Sequence, residues 1–121
     1  MTTSELARAF IDAIQLGDVE AARALLCPDA KIWHNFDDAE QTVDENLKLL
    51  GWMVRKASKR TYDITRLEEV EGGYLQQHTL TLVDLEGKIR VMHACVVAQV
   101  RDGKIARIEE YLDPSSMLNL P

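Results

Sequence analysis

Three short polar clusters interrupt segments that otherwise alternate like β-strands: Trp33-His34-Asn35, Gln76-Gln77-His78 and Glu109-Glu110-Tyr111. Strands of a folded domain ordinarily turn apolar side chains inward, so histidine and glutamate on an inner face point to a polar-lined cavity. An imidazole titrates near neutral pH, and in a dry pocket it can take a proton from an acidic C–H or from water. A second imidazole can donate to an oxygen on which negative charge develops. In this reading His34 is the base and His78 the donor or second acid–base group. Glu110 is the carboxylate that orients an imidazole or accepts its proton. The same three groups, with no chemistry to perform, could equally satisfy one another as a buried polar network. Trp52, Tyr62, Gln76, His93 and Cys95 are candidate ligand contacts, while Phe10 reads as core packing. His34, His78, His93, Cys95 and Glu110 are of types that suit zinc or iron. None stands in a recognised ligand spacing, so no metal is expected.

The elements that must position these residues begin with helices. Thr2-x-x-Glu5 is a capping box, followed by Leu6, Phe10, Ala13 and Ile14 at helical spacing. Gly17 stops that helix, and Asp18 caps a second that runs to about Leu26 and closes at Pro28. Residues 30–36 then favour a strand with Ile32, His34 and Phe36 on one side. Thr42-x-x-Glu45 opens a third helix with an apolar stripe of Val43, Leu47, Leu50 and Val54. The basic residues Arg55, Lys56, Lys59 and Arg60 follow at its C-terminal end, where the helix dipole favours cations. From residue 61 the period changes to two. Turn signals at Glu71-Gly72-Gly73, Glu86-Gly87 and Asp102-Gly103 divide this stretch into four strands. The order α-α-β-α-β-β-β-β describes an α+β domain with helices on one face of a curved antiparallel sheet.

Turn length fixes register. Two-residue loops at Asp102-Gly103 and Glu86-Gly87 would align a row His78–Cys95–Glu110 across three strands. The same face would carry Tyr74, Gln76, Leu80, His93 and Val97. A three-residue loop at Glu71-Gly72-Gly73 would add Tyr62 and Ile64 and bring Arg66 near His78. Met92, Ala94, Val96, Ala98 and Val100 would then form the back of the sheet. A strand apolar on both faces is covered on both, which predicts a homodimer packed through that back.

The bulk properties bound the rest. A chain of 121 residues is read as one domain, residues 1–121. A net charge of −6 and a pI near 5.0 lack the basic footprint of a nucleic-acid binder. Cys27 and Cys95 give no disulfide framework and read as buried free thiols. The absence of a charged-then-apolar leader or a membrane-length apolar run predicts a cytoplasmic protein without a membrane partner.

Phe10 through Gly17-Asp18, Leu25-Leu26, Asp29-Ala30, Asp102-Gly103-Lys104-Ile105 and Glu110-Tyr111-Leu112-Asp113 together resemble the polyketide-cyclase-like (SnoaL-like) proteins of the nuclear-transport-factor-2-like superfamily. Ketosteroid isomerases, scytalone dehydratase and limonene epoxide hydrolase share that superfamily. The resemblance implies a curved, antiparallel or mixed sheet wrapped around three N-terminal helices as a cone with a central apolar pocket. It also implies a dimer and chemistry without a cofactor. Ketosteroid isomerases place an aspartate base where His34 stands, but their tyrosine and protonated aspartate donors have no equivalents here. Polyketide cyclases carry a carboxylate on the last strand, where Glu110 or Asp113 stands, and a histidine on the strand before it, for which His93 is nearest. The implied ligand is a small apolar molecule of polyketide, steroid or terpenoid type. The implied reaction is an isomerisation, cyclisation, dehydration or hydrolysis by acid–base chemistry. A non-catalytic ligand-binding or dimeric interaction module on the same fold is the alternative, because one fold hosts many functions.

Overall fold

Helices start where the sequence supplies caps. In the computed structural model, which describes residues 1–117 and 120–121, helix α1 spans Thr3–Leu16 and α3 spans Val43–Lys56. Both carry the full capping box. The Thr2 and Thr42 side chains accept from the Glu5 and Glu45 backbones, and those glutamates accept in return from the threonine N–H groups. Gly17 ends α1 in the left-handed conformation at φ 72°, which a glycine adopts without steric cost. Asp18 caps a short α2, Val19–Ala24.

Six strands follow in one mixed sheet: β1 Leu26–His34, β2 Ala39–Thr42, β3 Ala57–Val70, β4 Gly73–Asp84, β5 Ile89–Arg101 and β6 Lys104–Leu112. Their spatial order is β2-β1-β6-β5-β4-β3. All neighbours are antiparallel except β1 and β6, which run parallel. The concave face packs on the helices. Leu6 and Phe10 of α1, and Leu47 and Leu50 of α3, meet Ile32, Tyr74, Val96 and Ile108 of the sheet in one core.

Two elements depart from the sequence reading. The second helix stops at Ala24, and the first strand begins at Leu26 and passes through Pro28. Leu26 already pairs with Ile105, and the ladder is irregular between Leu26 and Lys31. Pro28 therefore sits where its missing N–H breaks no regular bond. The strand also ends at His34, leaving Phe36 exposed in the turn that follows. Strand β2 was unforeseen because its four residues, Ala-Glu-Gln-Thr, carry no apolar signal. It is held by its pairing to β1 and by Arg107, which bridges Glu40 at 2.5 Å and Glu109 at 3.3 Å.

Each predicted hairpin register changes: by one residue at β4–β5, by one beyond a bulge at β5–β6, and by one and then two residues along β3–β4. The last β4–β5 pair is Val83 with Ile89, so the turn spans the five residues Asp84–Lys88 and not the two of a Glu86-Gly87 loop, and Asp84 organises it. The buried Asp84 carboxylate accepts from the Glu86 and Lys88 backbones and from Arg90 Nε at 2.9, 3.0 and 3.1 Å. His78 consequently faces Ala94 and not Cys95. The Asp102-Gly103 turn does pair Arg101 with Lys104, but the register then slips between Gln99 and Val100. That slip inserts Ala106 as a bulge. Cys95 therefore faces Tyr111, and Glu110 faces Val96. The β3–β4 turn is Glu71-Gly72 alone, with Val70 opposite Gly73, and a second irregularity at Thr65 sets Ile64 opposite His78. Arg66 lies outside, opposite Gln77, and pairs with Glu68.

The faces of β5 are thereby exchanged relative to expectation. Ala94, Val96 and Ala98 are buried against the core, while Val91, His93, Cys95 and Val97 lie on the back of the sheet.

Candidate functional site

The strand registers set Gln76, Val96, Glu110 and His34 side by side across β4, β5, β6 and β1. Their side chains share the concave face with His78, two residues along β4. A cavity of about 120 Å³ opens there. Its sheet wall includes His34, Tyr62, Gln76, His78 and Glu110, and its helical wall includes Phe10, Ile14, Asn46, Leu49 and Met53.

The polar groups form a chain. Glu110 lies between the imidazoles, with Oε1 3.2 Å from His34 Nε2 and Oε2 3.9 Å from His78 Nε2. The first distance is an ion-pair contact, while the second is too long for a hydrogen bond. The Gln76 amide nitrogen stands 2.9 Å from His78 Nδ1. With that amide donating, His78 keeps its single proton on Nε2, directed to the Glu110 side. With its own Nε2 proton on Glu110, a neutral His34 carries its lone pair on Nδ1. That Nδ1 and Gln76 Oε1 are both buried without a hydrogen-bond partner.

Electrostatics follow from depth. Burial holds the His78 pKa below its ordinary value, and the Glu110 charge opposes the shift without cancelling it. Burial, with Glu110 nearby, pushes the Tyr62 phenol strongly upward, so it remains a neutral donor. Among the described residues the Tyr62 hydroxyl reaches only the Met53 thioether, at 3.9 Å, a weak acceptor. Its ring centroid lies 5.5 Å from that of His78.

Of the residues singled out from sequence, His34, Tyr62, Gln76, His78 and Glu110 surround this cavity. Three others do not. Trp52 is 38% exposed and outside the lining, because the α3 positions that face inward are 46, 49, 50 and 53. His93 and Cys95 are displaced by the five-residue Asp84–Lys88 turn, which sets odd-numbered β5 residues outward. They occupy a shallow hollow on the back of the sheet with Thr79 and Tyr111, where Thr79 Oγ1 and His93 Nδ1 are 3.1 Å apart. Cys27 is buried, and Cys95 is only half-buried. Asp113 is exposed and accepts from Ser115 N at 3.0 Å, capping the terminal turn Pro114–Met117.

Sequence reasoning missed Asn46, Leu49 and Met53. Their spacing with Leu50 (i, i+3, i+4, i+7) is itself a helical face and was the available signal. Among the described residues, no group of three or more His, Cys, Asp or Glu has metal-holding geometry. None of the described helices is long and apolar enough to cross a membrane.

A curved mixed sheet wrapped over helices, enclosing such a cavity, is the nuclear-transport-factor-2-like α+β cone. The chain belongs to the SnoaL-like domain family, whose model matches residues 7–108. Solved structures agree on the fold. IdmH, a putative polyketide cyclase from Streptomyces antibioticus, is 18% identical over 98% of this chain and 96% of its own, with a TM-score of 0.86. An LEH-like epoxide hydrolase of M. tuberculosis is 22% identical over 95% and 85%, with a TM-score of 0.78. A hypothetical protein with a ketosteroid isomerase-like fold from Catenulispora acidiphila, in complex with trimethylamine, is 15% identical over 98% and 93%, with a TM-score of 0.83. At these identities the likeness carries the fold and not the reaction. A comparison with curated proteins gives no match.

Proposed function

We propose that this chain is a cofactor-independent acid–base enzyme acting on a small, largely apolar molecule, with His34 as its base. The observation that carries this reading is the buried pairing of His34 Nε2 with Glu110 Oε1 at 3.2 Å, which leaves His34 Nδ1 unpartnered. Nδ1 takes a proton from ligand or water, and the imidazolium so formed is stabilised by the carboxylate behind it. His78, neutral and not committed to a hydrogen bond with Glu110, donates its Nε2 proton to a ligand oxygen on which charge develops. The relatives' chemistries, a putative polyketide cyclase and an epoxide hydrolase by their names, are compatible with such a pair.

The test is a thermal-shift screen of small apolar compounds, followed by NMR assays of hits for turnover and for deuterium uptake from D2O. In His34→Ala, turnover should fall by about 100-fold or more, while binding weakens by no more than about tenfold. Unchanged turnover in that variant would overturn the role. Hits that bind yet return unaltered and undeuterated would favour a binding module.

The back of the sheet supports the dimeric part of the reading. Val91 and Tyr111 are 44% and 47% exposed there, beside half-buried Cys95 and Val97. A homodimer through this face should appear as a doubled mass in light scattering and be lost in Val97→Lys. The free cysteines accord with a reducing, cytoplasmic location, to be checked by cell fractionation.

A further inference from the structure

Gln76 and His78 lie two residues apart on β4, so both side chains leave the strand on the concave face. They are only 1% and 4% exposed. The residues paired with them on either side are apolar. Leu67 and Val96 stand opposite Gln76, and Ile64 and Ala94 stand opposite His78. The contact made by His78 Nδ1 is with the Gln76 amide nitrogen, at 2.9 Å.

The two nitrogens of an imidazole are not independent, because a hydrogen bond at one decides which of them carries the proton. An amide nitrogen only donates, so Nδ1 accepts and the single proton of the neutral ring stays on Nε2. The reverse amide orientation would place Oε1 at Nδ1 and draw the proton there. It would also turn the Nε2 lone pair toward Glu110 Oε2, 3.9 Å away. Acceptor would then face acceptor where water screens little, which is costly. The bond at Nδ1 further favours the neutral ring, since an imidazolium has no lone pair left to accept it. Nε2 is too far from Glu110 for a hydrogen bond, and His78 lines the cavity.

We propose that Gln76 is a positioning residue of this site, holding His78 as the neutral Nε2–H tautomer. The His78 end of the cavity thereby presents a fixed donor and selects a ligand acceptor such as a carbonyl or ether oxygen. Gln76 in this role deepens the reading of His78 as a donor and rests on it, yet it is tested on the imidazole itself, without turnover.

Nitrogen-15 histidine spectra of the full chain at about pH 8, above the ordinary imidazole range, read the tautomer directly. His78 should show a protonated Nε2 and an unprotonated, hydrogen-bonded Nδ1. In Glu110→Gln that pattern should persist, since the amide and not the carboxylate holds it. In Gln76→Glu the proton should appear on Nδ1, because a carboxylate there accepts and does not donate. Far-UV circular dichroism and melting curves would establish that both variants are folded. Should Gln76→Glu not fold, the wild-type and Glu110→Gln spectra still decide the outcome. A proton on Nδ1 of the wild-type chain would overturn the proposal, as would loss of the pattern in Glu110→Gln. So would an unprotonated Nδ1 in folded Gln76→Glu. Each of these failures is distinct from a failure of His34→Ala to lose activity, which leaves the His78 spectra of the wild-type chain untouched.

Discussion

Burial and charge pull His78 in opposite directions. Burial is the larger influence and leaves the pKa below the ordinary 6.5, with Glu110 raising it in part. The native state thus binds fewer protons than the unfolded chain as pH falls below about 6.5, and stability declines over that interval. Urea midpoints at about pH 7.5 and about pH 5.5 should show this loss, and His78→Gln should reduce it. Removing the carboxylate isolates the other influence. In Glu110→Gln the His78 pKa should fall further, because burial then acts alone, and histidine NMR titration reads the shift directly. A rise would show that Glu110 does not act on His78 as the 3.9 Å separation implies. His34, His78 and Glu110 were legible in the sequence because a polar residue in a strand contradicts its surroundings. Leu49 and Met53 were not, since apolar residues on a helix look the same whether they meet a core or a cavity.

At the level of elements, local signals were strong and pairings weak. Capping boxes read directly from sequence because donor and acceptor lie three residues apart. Thr42→Ala should therefore cost about 1 kcal/mol in chemical denaturation, by leaving Glu45 N without its cap. Registers depended on the Asp84 side chain and on the Ala106 bulge, neither of which a turn dipeptide announces. Two slips of one residue each, at β4–β5 and β5–β6, cancel for Glu110, which stays on the face of His78. They do not cancel for His93 and Cys95, because β5 sits between the slips. Gly73 shows how closely these strands are fitted. A Cβ there would stand 1.8 Å from the Ala98 carbonyl oxygen. Gly73→Ala should destabilise the protein by about 2–3 kcal/mol in the same measurement, and a neutral result would mean that β4 and β5 can separate at little cost.

For the molecule as a whole, the α+β cone was readable because helix and strand periods separate cleanly along the chain, with a run of hairpins at the end. The edge strand β2 and the parallel pairing of β1 with β6 were not, since each joins segments that no short turn connects. The parallel seam matters most for the site. Asn35 Oδ1 accepts from Leu112 N across a sequence separation of 77 residues, beside the His34–Glu110 contact. Contacts of such span are entropically costly to close and form late. During synthesis β6 leaves the ribosome after the three helices and the other five strands. His34 therefore waits without its carboxylate until β6 docks, and the site is not assembled before that strand has emerged.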